Sequence, residues 1–208
     1  MSIGWHLLEL PALSVCAAAL EADGVYVGQW MVSRPIVLGP LLGAALGAPF
    51  AGVGFGAVFE AFSLETAPVG GHIPINGAVG TACAVLMCAG PAGVAPAAAL
   101  PAGLALGWAA ARMEHIFRDR RAALAAEAEA LAGAGEEMPW SSFACRSVGG
   151  HVAAMAAFIY VSSAAGGPAA RAIWGALPGP LRLGFSAAFN WAPWLAAAIL
   201  IRALVKAH

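Results

Sequence analysis

Four stretches of this chain run without a single Asp, Glu, Lys or Arg: residues 35–59, 66–111, 147–170 and 183–201, with lengths of 25, 46, 24 and 19 residues. About 20 apolar residues cross the hydrocarbon of a bilayer as a helix, so each stretch suffices for one pass and the second for two. With the charged stretch 113–140 set aside, the pattern predicts roughly six to eight membrane segments, some of them short and re-entrant. The first, about Ser2 to Leu20, is apolar apart from His6 and Glu9, and it ends at the polar turn Glu21-Ala-Asp23-Gly24. In the next, Gly39, Gly43 and Gly47 recur every fourth residue and line one helix face, a seam on which a second backbone can rest. Residues 51–64 are Gly-rich and too short for a comfortable span, and they read as one arm of a helical hairpin. The run from Glu65 to Gly77 holds Pro68, Gly70, Gly71, His72, Pro74 and Asn76. Irregular backbone of that kind survives between membrane segments only when it is buried in protein or lines a wet cavity.

Residues 77–90 and 91–111 read as a pair of hairpin-like helices punctuated by Pro91, Pro96 and Pro101. Arg112 to Glu137 is the one clearly hydrophilic element, rich in helix formers and closed by Gly133 and Gly135, and it predicts a solvated helical arm. Arg112, Arg118, Arg120 and Arg121 are four of the ten Lys and Arg residues, which places the arm in the cytoplasm by the positive-inside rule. Beyond Arg146 come an apolar stretch near 148–165, a Pro/Gly break at 175–180 and a last apolar stretch at 183–201. The expected fold is all-α and integral to the membrane: a polytopic bundle with broken or re-entrant hairpins and a cytoplasmic arm. Its divisions are 1–111, an N-terminal membrane half, 112–140, the arm, and 141–208, a C-terminal membrane half.

Composition agrees. Hydrophobic residues make up 61% of the 208 and charged ones 10%, against about 25% charged in soluble domains. A net charge of −1 without a basic run leaves no electrostatic footprint for nucleic acid. Cys16, Cys83, Cys88 and Cys145 show no CxxC pairing and read as small packing residues, with no metal or redox site. Nucleophile-elbow, Walker A, HExxH and dinucleotide fingerprints are all missing, so neither covalent catalysis nor a cofactor is implied. Lys and Arg are absent from the first thirty-three residues, so the basic region of a signal peptide is missing and the apolar N-terminus is expected to stay in the fold.

Polar residues inside apolar sequence carry the chemistry. A carboxylate there costs roughly 2.5–3.5 kcal/mol on insertion scales and is retained for a reason. Glu60 is the leading site residue, with a plainer role, pairing with Arg34, beside it. Glu65 lies nearer the polar run and is expected to reach the interface, and His72 to be a hydrogen-bonded structural residue. Asn76 and Gln29 each offer a donor and an acceptor from one amide, which suits a hydroxyl-rich neutral solute and equally suits interhelical bonding. Trp30, Trp108, Trp140, Trp174, Trp191 and Trp194 fall near segment ends, as an aromatic belt requires.

In order along the chain, Gln29, Arg34-Pro35, Gly43-Ala-Ala-Leu-Gly47, Glu60 and Gly70-Gly-His-Ile-Pro-Ile-Asn76 resemble the motifs of the mannose/fructose/sorbose-type enzyme IIC family. These are the membrane permease subunits of the bacterial phosphoenolpyruvate-dependent sugar phosphotransferase system. The charged arm and Asn190-Trp-Ala-Pro193 are similar as well, so the resemblance covers nearly the whole chain. It implies a multi-pass protein of the bacterial inner membrane that works with the membrane subunit IID and the cytoplasmic IIA and IIB proteins. It also implies an elevator-like displacement that carries a neutral sugar across while a phosphohistidine on IIB phosphorylates it. IIC would not be phosphorylated and would not be an enzyme by itself. Glu60, Asn76 and Gln29 would face the sugar, Arg34 would orient, and Gly43 and Gly47 would be structural. Asn76 replaces an acidic residue common in the family, and Pro68 an Asn, which leaves the sugar open. Family members run on for about two further hydrophobic segments, so the resemblance implies a shortened second half and, as an alternative, a non-transporting scaffold or sensor.

Overall fold

The computed structural model of the chain describes residues 3–64 and 73–206, so Glu65, Pro68, Gly70, Gly71 and His72 lie outside the described residues. Among the described residues every regular element is helical. A π-helical turn, Trp5–Glu9, leads into α1, Leu10–Glu21, and the polar Glu21–Gly24 segment ends it through one 3-10 turn, Ala22–Gly24. Then come α2, Pro35–Ala45; α3, Pro49–Leu64; α4, Gly77–Ala89; and α5, Pro96–Gly133. A short α6, Trp140–Ala144, passes through a π-helical turn, Cys145–Gly149, into α7, Gly150–Ala176, and α8, Gly179–Lys206, follows the Pro/Gly break.

Helices α2 and α3 form the expected hairpin, and glycine is what lets them touch. A Cβ on Gly52 would lie 2.2 Å from the carbonyl oxygen of Gly39, and one on Gly56 would lie 2.5 Å from that of Pro35. Gly39 and Gly43 are the α2 side of this contact, with backbone against backbone. Gly47 is not part of the seam. Helix α2 stops at Ala45, and Gly47 sits beyond it at φ +70° with nothing within 4 Å of a Cβ position. It is the left-handed residue that turns the chain toward α3, a job glycine does without steric cost.

Helix α4 is the centre of the molecule. Every residue from Gly77 to Met87 is buried, so α4 has no polar face, the mark of a helix enclosed by others. At 13 residues it is about 20 Å long, short of the roughly 30 Å of hydrocarbon it would need to span. A second small-residue contact joins it to α5, where a Cβ on Gly103 would lie 2.7 Å from the Gly80 carbonyl oxygen. Leu38 and Leu42 of α2, Phe55 and Phe59 of α3, and Val79 and Met87 of α4 belong to one buried apolar core.

The sequence pattern separates residues 91–111 from the arm, and here the structure differs. Helix α5 runs unbroken for 38 residues from Pro96 through Arg112 to Gly133, with Pro101 inside it. Pro96 takes the first helical position, where a missing N–H costs nothing, and Pro101 falls early in the apolar half, where neighbouring helices offset its lost bond. Beyond Arg112 no Gly or Pro intervenes before Gly133, and Ala, Leu, Glu and Arg, all good helix formers, dominate, so the helix has no reason to stop. The arm is tied to the start of α7 by Arg146, which donates to Glu127 at 2.8 Å and holds that exposed carboxyl below its usual range.

Two helical stretches are long and apolar enough to cross a membrane, Trp140–Ala176 and Gly179–Ala203. In the most apolar window of the second only 6% of residues are buried within the chain. The outward side chains of α8 are Leu181, Leu183, Leu195, Ile199 and Ile201, an apolar surface that fits lipid. Five of the six tryptophans assigned to the belt point outward and Trp174 is half-buried.

Candidate functional site

The polar residues of the bundle gather where α1 ends and α2 and α4 begin. Glu60 lies four residues beyond Gly56 on α3, and because Gly56 rests on Pro35 the carboxylate is delivered to the first turn of α2. It is 3% exposed. Its Oε1 accepts from Nε of Arg34 at 3.0 Å, and its Oε2 accepts from the Ile36 backbone N–H at 3.3 Å. The second bond satisfies one of the N–H groups that the start of a helix leaves without a partner. Arg34 and Glu60 are therefore one unit, a buried carboxylate neutralised by a half-exposed guanidinium.

Asn76 caps α4. Its side-chain oxygen accepts from the Val79 N–H at 3.0 Å, and its own N–H donates to the carbonyl of Gly107 on α5 at 3.1 Å. The amide nitrogen donates to Oε1 of Glu21 at 2.8 Å, and Oε2 of Glu21 lies 2.7 Å from Nε2 of His151 on α7. A three-residue chain thus joins α4, α1 and α7. It adjoins the Glu60 unit, since a Cβ on Gly77 would lie 2.9 Å from the ring of Pro35 and 2.8 Å from the hydroxyl of Ser63.

Gln29 stands apart. It is exposed, at φ +54°, in the loop between α1 and α2, and none of the hydrogen bonds among the described residues links its amide to Glu60 or Asn76. The loop itself is fixed. Asp23, 4% exposed, accepts the N–H groups of Trp30 at 2.8 Å and Val32 at 3.0 Å, which brackets Met31 at φ +65°. Gly43 lies in the α2–α3 contact, and Gly47 at the turn described above.

Sequence reasoning missed Asp23, Glu21 and His151. The first two read as a polar turn; Glu21 has its partners across the fold, on α4 and α7, while Asp23 binds the backbone of its own loop. His151 did leave a signal, as the one titratable side chain apart from Tyr160 within the uncharged run 147–170. Among the described residues no cluster of three or more His, Cys, Asp or Glu could hold a metal. Two larger grooves, about 350 and 380 Å³, are lined by apolar side chains of α5, α7 and α8 and of α3 and α8.

The fold has a counterpart of known structure, described as the structure of a membrane protein, at a TM-score of 0.75 and 17% identity, covering 95% of this chain and 80% of the other. At that identity the likeness speaks for the helical membrane fold alone. No curated protein matches the chain. The family model described as the PTS system sorbose-specific IIC component matches residues 8–208, which takes in every residue of the polar cluster. This chain belongs to the family of phosphotransferase-system sorbose-specific IIC components, membrane permease subunits.

Proposed function

We propose that the protein is the IIC permease subunit of a mannose-type sugar phosphotransferase system in the bacterial inner membrane. It carries a neutral sugar together with a IID subunit, and IIA and IIB proteins supply the phosphoryl group. Family membership supports the class of transport. The observation that carries the assignment to residues is the buried Glu60–Arg34 unit set against Asn76, at the starts of two short helices in an otherwise apolar bundle. Each carboxylate oxygen of Glu60 accepts one bond and has a lone pair left, and the Asn76 amide keeps one N–H. Sugar hydroxyls, donors and acceptors at once, complete such a set. In this reading Glu60 and Asn76 contact the sugar, Arg34 fixes the carboxylate, and Gln29 joins them only when its loop leaves the position that Asp23 fixes.

The test is uptake in cells stripped of their own permeases and supplied with this chain, IID, IIA and IIB. A hexose or amino sugar should accumulate as its phosphate. Glu60→Gln, present in the membrane at normal level, should lower uptake by about tenfold or more, the value of one or two hydrogen bonds to a charged group. No accumulation of any such sugar, or unchanged uptake by the variant, overturns the assignment.

A further inference from the structure

A small cavity lies between the arm and the start of α7, apart from the Glu60 unit. Its walls include Arg120 and Arg121 of α5, and Arg146, Ser147 and His151 at the start of the α7 region, brought together from two separate helical elements. The volume, about 20 Å³, admits one oxygen-sized group. Two of the guanidiniums have carboxylates of their own: Arg121 is bonded to Glu114 and to the Tyr26 hydroxyl, and Arg146 to Glu127. Arg120 has no acceptor among the described residues. His151 lines the cavity, is 3% exposed, and leaves its Nδ1 buried with no partner among the described residues, while Nε2 faces Glu21. A guanidinium has five N–H donors, so the two paired arginines keep some free.

Three guanidiniums and a hydroxyl around space for a single oxygen match a tetrahedral oxyanion better than a flat carboxylate. One oxygen enters, and the others meet Arg120 and Arg146 at the mouth, in the bidentate manner arginine uses with phosphate. We infer that this cavity is a phosphate-class anion site, for the headgroup of an anionic phospholipid or for a soluble phosphate. The site adjoins the sugar cluster through His151, which faces Glu21 and through it Asn76. It draws on none of the residues assigned to the sugar, and it stands or falls without them.

Full-length protein in an uncharged detergent at low ionic strength is titrated with inorganic phosphate, with phosphatidylglycerol and with phosphatidylcholine, and thermal unfolding is followed by tryptophan fluorescence. A saturable rise in melting temperature with phosphate assigns a soluble source. A rise with phosphatidylglycerol, but not with phosphate or phosphatidylcholine, assigns the lipid headgroup. Arg120→Gln removes no hydrogen bond or ion pair among the described residues and should fold normally while binding about tenfold more weakly, the loss of a charge-assisted hydrogen bond. Arg182→Gln, on α8, should bind as the parent does. No saturable response to phosphate or phosphatidylglycerol overturns the inference, as does an unchanged response in Arg120→Gln or an equal loss in Arg182→Gln.

Discussion

Glu60 shows how little freedom a carboxylate has inside an apolar bundle. Removing one partner of a buried ion pair costs about 3–5 kcal/mol where both charges are desolvated, and less here because Arg34 is 44% exposed. Arg34→Ala should therefore destabilise by about 2 kcal/mol, and adding Glu60→Gln should recover part of that, since the amide leaves no unpaired charge. Reversible unfolding of the two variants in detergent checks this, and a double variant no more stable than Arg34→Ala would contradict it. The pair was legible beforehand because Arg34 is the nearest basic residue in sequence, and a carboxylate in lipid must find a cation. The Glu21–His151 contact was not, for a physical reason. Its members lie 130 residues apart, and no local pattern says that α1 will pack beside α7. Gln29 was legible only as a polar residue. Its position depends on Asp23 holding the loop at two backbone sites.

At the scale of elements, the α2–α3 hairpin rests on the absence of side chains at four positions. Gly52→Ala would place a methyl group 2.2 Å from the Gly39 carbonyl oxygen, and backbone cannot yield as a side chain does. It should cost at least the 1–3 kcal/mol typical of overpacking, about that or more. Gly54→Ala, on the same helix with its nearest neighbour, the Pro193 ring, at 3.6 Å, should be close to neutral. Thermal unfolding of the two variants side by side gives the answer, and equal losses would mean that the close approach is not what holds the hairpin. The four-residue spacing of Gly39 and Gly43 announced this face in the sequence. It also extended the pattern one step too far, because spacing alone does not say where a helix ends. Two residues beyond the end of α2, Gly47 keeps the period but serves the turn. The same limit hid the continuity of α5. Proline is a stop signal in water, whereas Pro101 sits inside a helix whose neighbours hold it in place.

For the whole molecule, the surface is the reverse of a soluble protein's. Leu195 lies near the middle of α8 and is 62% exposed. On a water-facing helix a charge there would matter little. In lipid, Leu195→Arg should reduce membrane insertion of the segment by about 2.5–3.5 kcal/mol. An insertion assay on α8 in its native context measures it, and unchanged insertion would mean that this face meets protein or water. That much was readable from composition and charge spacing alone, since a run of uncharged residues has one solvent in which it is stable. The packing order of the helices was not readable, because segments uniformly rich in Ala, Gly and Leu carry no periodic stripe to show which neighbour each prefers.

The unbroken helix from Pro96 to Gly133, about 57 Å long at the usual rise, has a mechanical consequence. A loop between membrane half and arm would absorb a displacement; a continuous rod transmits it as a lever. A torque applied at Arg120 or Glu127 would act along the same helix on Gly107, whose carbonyl accepts the backbone N–H of Asn76. The outer end of the arm and the mouth of α4 are in this sense the two ends of one crank.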